Sequence, residues 1–468
     1  MAKPQKIREP MSRRSFVASS TWATTAFGCS MLSTTSSVAA ESDSSQAVAQ
    51  VLMPRDRVPL SFIVDDSTCL VNMGHFCTPQ FAQAWPDRAE YQKPWQSWPR
   101  EIPDAFVREF GQWCGENGVK GKYSIVPYPA CVGWLDRELP GWTRGQLEAS
   151  LELVRTLMLP NWDIHPEMIT HTRIIDLNSG RPVEPVNAST MENSFPRVKI
   201  STDELTAYLA YALRILKNCG LPCEGVTTPG GFGNLMKSEL SVAVYQAVRD
   251  VFQAELPHYF KYVREGSEST EPVLENLQNE NTMSVTATVN VPAGTGDWFG
   301  GWQGDERPRG KLYLSDDGQT GRMAELIRRR SPALMLCHWP GMYCNGKKTG
   351  FIQFQAIVRT LNTVYRDQTI WMKLSEIARY WAAKSWTQFK LSESQLHMTA
   401  PIAAPLFTFR CPLDAGELIA EHEDGSILEL HEVQQRSQLE SGTWFEEEDG
   451  LVVCLNLPKG ESVLRYAE

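Results

Sequence analysis

Short apolar runs alternate with amphipathic stretches of helical period from about residue 58 to residue 385. The first run, Ser61-Phe62-Ile63-Val64-Asp65-Asp66, is β-branched and aromatic and predicts a buried strand over 60–66. Similar runs predict strands at 122–126, 225–228, 259–263, 285–291, 333–336 and 370–373, with extended chain over 162–170. Helical periodicity predicts helices over 104–117, 143–159, 201–218, 237–255, 320–330, 351–365 and 375–383. The helix from Ser201 opens on Ser201-Thr202-Asp203-Glu204, a capping box, and Gly220 stands just past its end. A Trp/Pro-rich loop, 79–103, follows the first strand. The fold class is therefore α/β. Seven or eight β/α repeats imply a parallel sheet, and that number suggests a closed or nearly closed, somewhat irregular barrel. A doubly wound open sheet competes, but no Gly-rich dinucleotide fingerprint follows an early strand.

The pattern changes from about Leu391. Leu406-Phe407-Thr408-Phe409, Ile427-Leu428-Glu429-Leu430 and Leu451-Val452-Val453-Cys454-Leu455 are short alternating runs separated by turns such as Asp424-Gly425. They predict a C-terminal antiparallel β domain over 391–468, resembling a small sandwich and accessory to the barrel at 58–385.

The N-terminus reads as an address. Ser12-Arg13-Arg14-Ser15-Phe16 is a twin-arginine pattern, followed by a weakly apolar stretch and by Val38-Ala39-Ala40, a small-residue cleavage signal. We expect a signal peptide at 1–40, a linker at 41–57, and export to the periplasm or beyond. Lipoprotein cleavage at Gly28-Cys29 ranks second. The run is too short and polar to span a membrane, so no transmembrane segment is expected after cleavage. Residues 1–40 carry five basic side chains and one acid, so the remainder is four charges more negative than the whole chain's −10. Such a surface repels nucleic acid and anionic lipid and suits a neutral partner such as a glycan. Ten cysteines lie beyond the signal without a zinc-ribbon spacing. They read mainly as buried thiols, with disulfides left open.

In a β/α barrel the reactive groups sit at the C-terminal ends of strands. Asp65-Asp66 ends the first strand, and two adjacent carboxylates need a nearby positive charge. Asp163-Ile164-His165-Pro166-Glu167, with His171 four residues on, falls at the third repeat, and His338 follows a late strand. With only eight histidines in the chain, this placement suggests a metal site. One carboxylate of the Asp65-Asp66 pair with His165 and His171 would bind a divalent ion, zinc first, leaving positions for water and substrate. His75 and Glu167 are spare candidates. The fifteen tryptophans include Trp85, Trp95 and Trp98 in the first loop and Trp298 and Trp339 near other strand ends. They would either stack on sugar rings or fold the loops onto the barrel.

These motifs resemble the polysaccharide deacetylases, the NodB-homology members of the glycoside hydrolase/deacetylase superfamily, over about 58–385. The resemblance implies that Asp65 is the catalytic base, Asp66 a metal ligand and His338 the general acid. Thr228-Pro229-Gly230-Gly231-Phe232-Gly233 resembles the family's Arg-Pro-Pro-aromatic-Gly loop, which places Pro229 and Gly230 with Trp298 and Trp339 on the substrate side. Asp297-Trp298 echoes an Asp-Trp segment. Two positions depart: Ile175 stands where the second motif histidine belongs, and Thr228 replaces the arginine that orients the base. The implied activity is metal-dependent removal of an N- or O-acyl group from a carbohydrate. A metal-independent glycosidase using Asp65 with Glu167 or Asp163 is the enzymatic alternative, with carboxylates about 5–9.5 Å apart. A catalytically inactive glycan-binding protein is the other.

Overall fold

The computed structural model describes residues 48–467 apart from 267, 302 and 306, and the signal motif and Cys29 lie outside the described residues. From Val48 onward the chain forms one compact unit. Its elements are β1 (Gln50–Val51), β2 (Val58–Asp65), α1 (Met73–Ala84), α2 (Asp104–Glu116), β3 (Gly121–Ile125), α3 (Arg144–Leu153), β4 (Trp162–Pro166), β5 (Ile175–Asp176) and β6 (Arg181–Pro182). There follow α4 (Thr202–Asn218), β7 (Gly225–Thr227), α5 (Lys237–Phe252), β8 (His258–Phe260), β9 (Val273–Gln278), β10 (Thr286–Asn290), α6 (Arg322–Arg328), β11 (Ala333–His338), α7 (Trp339–Tyr343) and α8 (Thr349–Val364). The last are β12 (Thr369–Trp371), α9 (Leu374–Trp386), β13 (Gln388–Ser392), β14 (Gln395–Ala400), β15 (Ala404–Cys411), β16 (Leu418–His422), β17 (Ile427–Glu432), β18 (Thr443–Glu447), β19 (Gly450–Leu457) and β20 (Gly460–Tyr466).

This is a mixed α/β protein. Strands β11-β2-β3-β4 run parallel, and β12 pairs with the start of β2. A second sheet runs β7-β8-β10-β9, with only β9 antiparallel. An isolated parallel bridge of Glu167 with Thr227 links the chain after β4 to β7, and another sets Asp297, in the loop after β10, beside Leu336 of β11. All eight residues of β2 are buried, as a parallel strand covered on both faces requires. Its side chains alternate between two cores. Phe62 and Val64 pack with Phe110, Trp162 and Phe354 under the helices, whereas Ile63 packs with Phe260 and Leu336 on the opposite face.

Thr143 and Ser201 each close a capping box at the start of α3 and α4, as their sequences predict. Two elements differ from expectation. Pro79 lies inside α1 rather than at the start of a loop. It supplies no N–H to the helix ladder, but α1 is capped by Asn72 and buries Met73, Cys77 and Phe81. The edge strand β9 carries no clean alternation and was not foreseen.

The C-terminal strands form a large curled sheet in the order β1-β15-β19-β18-β17-β16-β20-β14-β13, antiparallel except where β17 meets β18. Its apolar face packs on α9, with Tyr380 against Phe407. The stretch read as a linker is not free chain where it is described, because β1 pairs with β15. Ten cysteines are described, and every one except Cys131 is buried. Among the described residues no helix is long and apolar enough to cross a membrane.

Candidate functional site

Strand ends bring together four of the predicted residues. Asp65 closes β2 in register with His338 at the end of β11. Asp66 follows with φ at +58°, a left-handed conformation that turns its carboxylate back over the strand ends. Burial pushes Asp66 up to about 7 against the opposing charge of His171, and neither of its buried oxygens accepts a hydrogen bond. Burial also raises Asp65, which is opposed by Lys122 on β3. The Lys122 ammonium donates to Asp65 Oδ1 at 2.5 Å, Ser124 Oγ at 2.7 Å and the Val64 carbonyl at 3.1 Å.

The third carboxylate of the site is Glu167, one residue beyond β4. Its Oε2 accepts the Asp66 N–H at 2.7 Å and its Oε1 lies 3.4 Å from His171 Nδ1. His171 in turn places Nε2 3.1 Å from Asp66 Oδ1. Burial would raise Glu167, but the hydrogen bond and charge of His171 outweigh it and draw the carboxyl down to about 2. The loop carrying His171 is tied to Glu192, a buried carboxylate accepting the N–H groups of Ile169, Thr170 and His171 and the Tyr208 hydroxyl. Those contacts hold Met168 and His171 at positive φ, which no helix or strand would supply. One donor atom each from Asp66, Glu167 and His171 falls within 4.8 Å of the others. Nothing in the spacing of the chain pointed to Glu192.

His338 faces these carboxylates, and Asp297 Oδ2 lies 2.7 Å from its Nδ1. Burial alone would lower this imidazole. The Asp297 hydrogen bond, with the charges of Asp66 and Asp65, raises it instead. Asp297, from the Asp-Trp segment, is held beside β11 by the bridge to Leu336.

His165 does not join Asp66 and His171. On β4 it lies two residues before Glu167, roughly 7 Å deeper along the strand. There its Nε2 meets His258 Nε2 at 2.9 Å, and its Nδ1 is 3.3 Å from Thr227 Oγ1. Gly225 permits the approach, since a Cβ there would stand 2.6 Å from the His165 ring. Asp163, His165 and His258 form a second compact polar group, in which His258 Nδ1 lacks a hydrogen bond but Asp163 and both His165 nitrogens have partners. Asp163 accepts both donors of Ser375, at 2.7 and 2.8 Å, and burial drives His258 down to about 4 and His165 well below the usual imidazole range. The Asp66 oxygens have no such hydrogen bonds, so the site beside Asp65 is the better cation site. His165→Asn should leave bound metal per protein at the wild-type value, whereas His171→Ala should remove it. Elemental analysis after gel filtration reads both.

Two substrate-side expectations also change. Trp339 is fully buried, because it follows His338 and so faces the opposite layer, among Phe106, Phe110 and Tyr123. Trp298 is half-buried beside Asp297, with its ring 4.8 Å from that of Tyr313. In the first loop Trp98 is buried and Trp85 packs on Phe81 and Tyr91, so these indoles fold the loop down. His75 is likewise held in α1, its Nδ1 2.9 Å from the Trp98 carbonyl. Pro229 is buried and Gly230 exposed, and Gly230 packs on Asn193 at φ +44°. The Thr228 hydroxyl, where the resemblance expects an arginine, is buried without a hydrogen bond.

No family model matches this chain, and no curated protein matches it. Among solved structures it is similar to a protein of Parabacteroides distasonis, provisionally named a glycoside hydrolase/deacetylase. The two chains are 12% identical, with 76% of this chain and 81% of that one covered and a TM-score of 0.37.

Proposed function

We propose that this chain is an exported, metal-dependent hydrolase that removes acyl groups from a carbohydrate, built on a deacetylase-like β/α barrel. The observation that carries the reading is the convergence of Asp66, Glu167 and His171 beside Asp65 and an Asp297-paired His338. Parallel pairing from β11 through β2, β3 and β4, continued by the bridges to β7 and β11, supports the barrel. The twin-arginine motif supports export, and the acidic surface supports a neutral glycan substrate.

The donor set fits a divalent cation. Two buried carboxylate oxygens of Asp66 lack hydrogen bonds, and an imidazole nitrogen faces one of them. Asp66 and His171 would hold the ion, with Glu167 in reach as a third donor and fixing the His171 ring through Nδ1. When bound, such an ion supplies Lewis acidity to the acyl carbonyl and acidifies the attacking water. Asp65 takes the proton of that water on its carboxylate. His338 gives its own proton to the leaving amine or alcohol, and Asp297 stabilises the imidazolium that performs this step. Glu192 keeps the His171 loop in place throughout.

Protein purified without chelator should contain a divalent metal and release acetate from an acetylated amino sugar or polysaccharide. Chelation should abolish release, and zinc or another divalent ion should restore it. Chelator-resistant cleavage of glycosidic bonds would instead identify a glycosidase using Asp65 and Glu167. Saturable glycan binding with neither metal nor product would identify a binding protein.

A further inference from the structure

We infer that Lys122, a buried lysine in the middle of β3, is the residue that positions Asp65 for catalysis. This rests on the deacetylase reading and adds a residue that no part of the sequence pattern assigned. A lysine is almost never fully buried unless paired, and Lys122 is 0% exposed. It sits on the face of β3 that looks toward Asp65, with its ammonium 5.4 Å from the centre of the Phe260 ring. Its three donors are accounted for by Asp65 Oδ1, Ser124 Oγ and the Val64 carbonyl. The ammonium therefore cannot swing, and neither can the carboxylate oxygen it grips.

The contact is made to one oxygen only. No hydrogen bond reaches Asp65 Oδ2 from the described residues, so the side chain is fixed through Oδ1 and presents Oδ2. A guanidinium in this place would engage both oxygens, because its fork matches a carboxylate. A point charge on a flexible stem pins one and leaves the other to receive a proton. Thr228, in the loop after β7, offers no charge to Asp65, and the fixed cation comes from the neighbouring strand instead.

The test compares wild type with Lys122→Met and Ser124→Ala, the second keeping the ammonium but removing one of its three anchors. Each metal-loaded protein is assayed on an acetylated amino sugar for kcat and KM, with metal content measured in parallel. Lys122→Met should lose about 10²-fold in kcat, the scale expected for a reacting group displaced by about 1 Å, with KM and metal content unchanged. Ser124→Ala should lose a smaller part of kcat in the same pattern, and it decides the matter if Lys122→Met does not fold. Wild-type kcat in either folded variant overturns the inference, as does a loss carried by KM or by metal. A wild-type protein with no turnover overturns the deacetylase reading, and the inference with it.

Discussion

Asp65→Asn should lower turnover by about 10⁴-fold, the upper end of the range for acid–base catalysis, while the protein keeps its metal. The amide oxygen still accepts the Lys122 ammonium, so the side chain stays where it is. What disappears is the group that takes the proton of the attacking water. Asp66, Glu167 and His171 are untouched, and metal content should remain at the wild-type value. The substitution also leaves Lys122 buried opposite a neutral group, and losing one member of a buried pair typically costs about 3–5 kcal/mol. A lower unfolding midpoint is therefore expected. A variant that folds, binds metal and still turns over at more than about a hundredth of the wild-type rate would remove Asp65 from the role of base.

His338→Gln should lower kcat by about 10²–10⁴-fold with little change in KM, because a general acid acts in the transition state and contributes little to substrate binding. A glutamine can still hydrogen-bond to Asp297, which separates loss of the proton from loss of structure. The pH profile gives a sharper test. His338 works protonated, so its contribution is present below its folded pKa and is lost as pH rises through that value. Burial lowers the pKa and the Asp297 hydrogen bond opposes it, so the position of the alkaline limb depends on that pair. Asp297→Asn removes the largest raising influence, and the limb should move to lower pH. An unmoved limb would assign it to another group.

The residues legible in the sequence were those whose role follows from being at a strand end. Asp65, Asp66 and His338 stand together where an apolar run stops and a titratable group begins. His165 and Glu167, two residues apart at the end of β4, project to the same side, and spacing does not say which of them reaches the rim. That depends on the strand ending at Pro166 and on the positive φ of Met168 and His171, set by Glu192. Trp339 could have been read correctly from alternation alone, since its neighbour His338 faces the site. Lys122 carried a usable signal, a lysine inside an apolar strand, but charged residues at strand edges are too common for that to decide. The β/α repeats were visible because each buries two faces. The irregular edge at β9, polar on both sides, left no such period.

The pairing of β1 with β15 has a consequence for how the protein is made. Residues 50–51 leave the ribosome well before their partner strand, which lies more than 350 positions later. Leu52 donates to the Thr408 carbonyl and accepts from the Tyr380 hydroxyl, so this early segment is fastened entirely by late-synthesised chain. The sheet cannot close before β15 has emerged, and the apolar side of α9 stays uncovered until the strands that pack on it have been made. Nascent chains halted near residue 386 should accordingly be sensitive to protease and retained by chaperones, whereas released chains should not. Closure of this sheet therefore joins segments of the chain that are synthesised far apart.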